Sequence, residues 1–157
     1  MDNQSINEYL SNHEFFSGLH KNYVALLCEF VSVVEINKAQ TLFQLGERAD
    51  KFYIIKNGCI TMQIPALMGP TLEVQTLCSG QVLGWSWLIP PFQWHFQAKA
   101  EEESTLLEFD GIGILLLCEQ DPRFGYELLK RFAALMSQRL DVSRQKMMDE
   151  WDPSGFA

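Results

Sequence analysis

Between Val31 and Phe109 the chain breaks into short runs of β-branched and aromatic residues, a texture that constrains its fold more than any other feature. The runs read VSVVEI, TLFQL, KFYIIK, CITMQI, LEVQTL and STLLEF. Turn signals separate them at Lys38-Ala39, Gly46, Asn57-Gly58, Met68-Gly69-Pro70 and Ser79-Gly80. Strands this short and this regularly interrupted predict a compact antiparallel barrel or roll. Asn57-Gly58, set between KFYIIK and CITMQI, predicts a tight hairpin, because both central residues of a type I′ turn need positive φ.

Helical patterns flank this region. Asn12 suits a helix cap, followed by apolar positions at Phe15, Phe16, Leu19, Tyr23, Leu26, Leu27 and Phe30. Beyond Phe109, Gly111 to Cys118 reads as a short helix. Asp121-Pro122 supplies a cap and a first-turn proline for a long helix reaching the neighbourhood of Glu150. That helix carries two apolar stripes. Phe124, Leu128, Phe132 and Leu135 suit packing on the chain's own barrel, whereas Leu129, Ala133, Met136, Leu140, Ser143 and Met147 step four then three, as a coiled-coil seam does. The second stripe implies a partner: a second copy, giving a homodimer through this helix, or a different protein. A wide buried face within the monomer is the competing reading. WDPSGFA reads as a tail.

The expected architecture is α+β in a single domain, 1–157. It comprises short N-terminal helices over 1–30, an antiparallel β-roll or jelly roll over 31–110, and C-terminal helices over 111–150. A length of 157 residues is enough for one substantial core. Hydrophobic content of 47% against 20% charged describes a folded chain. The formal charge of −8 disfavours nucleic acid and anionic membrane surfaces, which need clustered Lys and Arg. Lys130, Arg131, Arg139, Arg144 and Lys146 are spaced along one helix among acids and read as a solvated face.

Cys28, Cys59, Cys78 and Cys118 are far apart in apolar surroundings and read as buried, reduced thiols. A polar, acidic start, MDNQSINEYL, is unlike a signal or transit peptide, and the apolar runs are too short to span a bilayer. A cytoplasmic protein is expected. Enzyme motifs are missing: there is no G-x-S-x-G elbow, P-loop or H-E-x-x-H, and His13, His20 and His95 stand alone. No catalytic residues, no metal ligands and no cofactor are expected.

GERADKFYIIKNG, Gly46 to Gly58, resembles the G-[ED]-x-[AP]-[DE]-x-[FL]-Y-x-[IL]-x-x-G pattern of cyclic nucleotide-binding domains. It matches at Gly46, Glu47, Ala49, Asp50, Phe52, Tyr53, Ile55 and Gly58. Alternation around Phe52 and Ile54 is expected to put these side chains inside the roll. Gly80 to Ala100, GQVLGWSWLIPPFQWHFQAKA, resembles the same family's phosphate-binding cassette. The likeness runs from Phe15 to Leu140. It implies a sensor domain of the Crp/Fnr type, shared with kinase regulatory subunits and gated channels. The sequence ends at Ala157 without the winged helix-turn-helix of Crp/Fnr transcription factors, so direct DNA binding is not expected.

In that family a Gly-Glu pair opens a short cassette helix, the Glu takes the ribose hydroxyl, and a later Arg pairs with the cyclic phosphate. Here Leu83-Gly84 matches the opening, a short helix is expected over Gly84 to Ile89, and Trp85 stands where the Glu belongs. Ungapped alignment puts Trp94 at the Arg position, and a one-residue slip puts His95 there. An indole offers one N–H donor and no charge, so cAMP and cGMP are expected to bind weakly or not at all. Lys99, between Ala98 and Ala100, is expected to point outward. The candidate ligand pocket comprises Leu83, Gly84, Trp85, Ser86, Trp87, Leu88, Trp94, His95 and Phe96. The sequence leaves three outcomes open for it: self-filling as core, a flat apolar ligand of unknown identity, or residual nucleotide binding. A haem variant would need axial ligands such as His95 or Cys78.

Overall fold

The computed structural model describes residues 1–151, so most of the expected tail, the part after Trp151, lies outside the described residues. Two short helices, α1 (Asn3–Ser11) and α2 (Lys21–Cys28), flank a 3₁₀ turn at Glu14–Phe16. Asp2 caps α1 by accepting the Ser5 N–H at 2.8 Å. Asn12, expected to start a helix, instead ends α1, donating its side-chain amide to the Glu8 carbonyl at 2.9 Å. The caps of the next two segments are histidines: His13 and His20 accept the backbone N–H groups of Phe15 and Asn22.

Eight strands follow: β1 (Val31–Ile36), β2 (Thr41–Phe43), β3 (Lys51–Asn57), β4 (Cys59–Ile64), β5 (Leu72–Cys78), β6 (Val82–Leu83), β7 (Gln97–Ala100) and β8 (Ser104–Asp110). They form two antiparallel four-stranded sheets, ordered β1-β8-β3-β6 and β2-β7-β4-β5. The expected hairpin at Asn57-Gly58 is not one. β3 and β4 belong to opposite sheets, and the chain turns a corner at Gly58, where φ is +95° and Asn57 stays out of the left-handed region. A Cβ at Gly58 would fall on the Ser104 side chain and 2.8 Å from the Glu103 carbonyl, so close passage past β8 demands the glycine. The true hairpin joins β4 to β5.

Two cores result. One fills the space between the sheets with Ile36, Phe43, Tyr53, Ile55, Ile60, Met62, Leu77, Leu83, Trp94, Ala98 and Leu106. The other joins the outer face of the β1-β8-β3-β6 sheet to the helices, through Leu10, Phe16, Leu27, Phe52, Ile54, Trp87, Phe109 and Phe132 among others. Phe52 and Ile54, expected inside the roll, therefore face the helices, and Tyr53 and Ile55 fill the roll. β3 is buried on both faces because a helical layer covers what would otherwise be its wet side.

The chain continues into α3 (Gly111–Gln120) and then α4 (Pro122–Glu150), capped by Asp121 accepting the Phe124 N–H at 3.2 Å. Phe124, Leu128 and Phe132 are fully buried on the roll, with Leu135 half-buried beside them. Cys59 and Cys78, expected as reduced thiols, form a disulfide between paired positions of β4 and β5. The pairing register that faces them was invisible in their 19-residue separation. Cys28 and Cys118 are free. No helix among the described residues is long and apolar enough to cross a membrane.

Candidate functional site

The cassette joins β6 to β7 and departs from the expected helix. Ser86 to Leu88 form turns, Pro90-Pro91 is cis, and Phe92 adopts φ +56°. The strap that follows is tied to the Gly46 loop. Trp94 N–H donates to the Glu47 carbonyl at 2.9 Å, Gly46 N–H to the Trp94 carbonyl at 2.8 Å, and Ala49 N–H to the Phe92 carbonyl at 2.7 Å. The Gly46 to Gly58 motif thus anchors the cassette as well as forming β3.

The aromatic cluster that is contiguous in sequence is divided in space. Trp94 is 4% exposed inside the roll, its indole stacked on Phe43 with centroids 3.7 Å apart and planes 8° from parallel. Gly84, at φ +97°, makes room for it: a Cβ there would lie 2.7 Å from the edge of the Trp94 ring. Trp87 goes the other way, into the helical core, stacked on Phe52 at 5.1 Å and edge-on to Phe132 at 5.3 Å. Its Nε1–H is buried without a partner. Trp85 and Leu88 are half-buried against that same helical core, and Leu83 and Ser86 are buried. Phe96 is half-buried beside Trp94, His95 is exposed, and Lys99 is half-buried on β7.

The two indoles at the charged positions of the family pattern therefore do not face one cavity. Trp94 occupies the roll interior and Trp85 leans on the helices. Haem ligation finds no pair here, since Cys78 is bonded to Cys59 and His95 points to solvent. Among the described residues no cluster of His, Cys, Asp and Glu is placed to hold a metal.

A family model for the cyclic nucleotide-binding domain matches residues 33–121, from β1 to the end of α3. The chain belongs to the cyclic nucleotide-binding domain family. A cyclic nucleotide-binding domain from Methylobacillus flagellatus superposes with a TM-score of 0.80 at 15% identity, over 96% of this chain and 84% of that one. The sensor domain of the transcriptional regulator DNR from Pseudomonas aeruginosa gives a TM-score of 0.72 at 19% identity, over 88% and 93%. A regulatory subunit of a cAMP-independent protein kinase A from Trypanosoma cruzi, bound to guanosine, gives 0.63 at 20% identity, over 83% and 51%. No curated protein matches the sequence.

One residue of consequence escaped the sequence. Arg139, read as part of a solvated face, is only 7% exposed and donates through Nη2 to the Val82 carbonyl at the cassette opening. Arg131 is also half-buried, donating to the Ser17 carbonyl at 2.7 Å. Lys130, Arg144 and Lys146 are exposed as expected. The signal for Arg139 was present. Phe124, Leu128, Phe132 and Leu135 step by four, four and three, and a further step of four reaches position 139. Burial pulls its guanidinium down to about 10, still charged at neutral pH.

Proposed function

We propose that this single-domain module regulates without a cyclic nucleotide: its cassette is packed as core and its signal leaves through α4. The carrying observation is the Trp94 indole, seated on Gly84 and Phe43 in the roll. The family uses that sequence position for an arginine that pairs with phosphate. Leu83, Gly84, Ser86, Trp87 and Trp94 act here as packing, with Trp85, Leu88, His95 and Phe96 around them. The cAMP-independent kinase regulatory subunit of similar fold supports a regulatory use of this architecture without cAMP.

The output surface is the outward stripe of α4. Leu129 and Leu140 are each about half exposed, at 49% and 51%, and Met147 is 72% exposed. Ala133 and Ser143 lie exposed between them, with Met136 half-buried. A 29-residue helix that leaves a four-three apolar seam in water is suited to pair with a second copy, giving a parallel homodimer. Small residues at 133 and 143 permit close helix approach. The module is neither an enzyme nor a nucleic-acid binder in this reading.

Two measurements test the proposal. Calorimetry is expected to show no cAMP or cGMP binding, and low-micromolar binding of either would refute the closed cassette. Analytical ultracentrifugation is expected to show a dimer; a monomer at tens of micromolar would make the seam a docking surface for another protein.

A further inference from the structure

A groove of about 830 Å³ runs along α4, outside the roll, between the Glu14–Phe16 turn and the chain reversal at Gly80. Its lining takes in Gly80, Gln81 and Val82 at the start of the cassette stretch but none of residues 83–96, so it is separate from the candidate ligand pocket. Arg139 lies in its wall. The Nη2 of this arginine is engaged by the Val82 carbonyl, and Nη1 is buried with no hydrogen-bond partner. No carboxylate pairs with it among the described ion pairs. The protein has 20 acidic residues against 12 basic ones, yet it leaves a buried cation without a counterion. A buried charge in that condition is costly unless something completes it.

The other charges of the groove cancel in sum: Lys130 and Arg131 share Glu127, and Glu14, in no described ion pair, supplies the second negative charge. Glu127 holds Lys130 at 3.2 Å and Arg131 at 3.1 Å. Lys130, Arg131 and Arg139 face Glu14 and Glu127, so the lining is one positive charge in excess. His13 adds none. Its Nδ1 accepts the Phe15 N–H at 3.1 Å and its Nε2 meets the Gly80 carbonyl at 2.7 Å, an arrangement that needs the neutral ring. With Nη2 occupied, the free edge of Arg139 suits one oxygen of an anion rather than a bidentate clamp. Around it the groove presents apolar Phe15, Leu135 and Val142 beside the amides of Gln75 and Gln138.

We propose that this groove binds a small organic carboxylate, a single negative charge on an apolar body, through Arg139. Such a ligand would bridge α4 to the opening of the cassette, because Arg139 already holds both. The proposal stands whether or not the cassette is closed.

The test is NMR and calorimetric titration of the full chain with benzoate and, separately, inorganic phosphate. Benzoate is expected to shift the Arg139 side-chain and Leu135 and Val142 methyl resonances saturably. Arg139→Gln is expected to weaken it at least about tenfold, the loss of one charged hydrogen bond. Val142→Trp fills the groove without touching the Arg139 bonds and is expected to abolish binding, which keeps the test decisive if Arg139→Gln does not fold. The proposal fails if benzoate gives no saturable shift, if either folded variant binds it like the parent, or if phosphate binds equally well. Neither titration reports on cAMP or on dimerisation, so its failure is distinct from failure of the closed cassette.

Discussion

At the scale of single residues, the proposed closed cassette rests on the pair Gly84 and Trp94. Gly84→Ala meets two obstacles, a left-handed φ of +97° and a ring edge 2.7 Å from the new Cβ. It should cost at least about 1–3 kcal/mol, read from urea denaturation. Trp94→Ala should cost about 3–5 kcal/mol by the cavity it leaves, without creating nucleotide binding. His13 makes a pH prediction. Burial, outweighing the opposite pull of its bond to the Gly80 carbonyl and of Glu14, sets its pKa below the ordinary 6.5. The unfolded chain therefore takes up a proton that the folded chain resists. Its contribution is complete above 6.5 and is lost as pH falls through the lower, folded value. Urea midpoints should drop on acidification from about pH 7 to about pH 5, and His13→Gln should flatten that slope.

At the scale of elements, β4 and β5 are held by their ladder and by Cys59–Cys78, which closes a loop of 19 residues. Reduction should lower stability by about 3 kcal/mol on chain-entropy grounds, measured by denaturation with and without a reductant. In the long helix the two stripes should separate cleanly by mutation. Leu140→Lys changes an exposed position of one protomer but buries unpaired charge at a symmetric seam. We expect dissociation at a cost on the order of 3 kcal/mol or more, seen as monomer in sedimentation with unchanged circular dichroism. Phe132→Ala, on the inward stripe against Phe52 and Trp87, should instead unfold the domain.

At the scale of the molecule, one sheet serves two cores and so couples the roll to the helices. β3 and β8 present alternate side chains to each: Tyr53 and Leu106 to the roll, Phe52 and Leu107 to the helices. β3 thus lies between α4 and the roll, and α4 is also latched to the cassette opening by Arg139. A thermal-shift screen should show cAMP and cGMP inert. A ligand at about a hundred times its Kd would add about 2.7 kcal/mol, a shift too large to miss.

The sequence by itself determined the family, the strand-rich middle, both terminal helical regions and the two stripes of α4. These are local: turn glycines, residue alternation and four-three stepping are all readable within a few residues. It also aligned Trp85 with the family's ribose-binding Glu, and Trp94 or, on a one-residue slip, His95 with its phosphate-binding Arg. Only tertiary structure decided where the indoles of the cassette go, because Trp87 and Trp94 have the same chemistry and are sent to different cores by the sheet between them. The same is true of Asn57-Gly58, whose turn chemistry fits a hairpin until strand pairing puts β3 and β4 in opposite sheets. Cys59 meets Cys78 only through the register of a ladder, and although the inward stripe of α4 pointed to position 139, the Val82 carbonyl that Arg139 meets there was set only by α4 lying across the end of β6. Each of these depends on contacts between segments far apart in the chain, which no local pattern encodes.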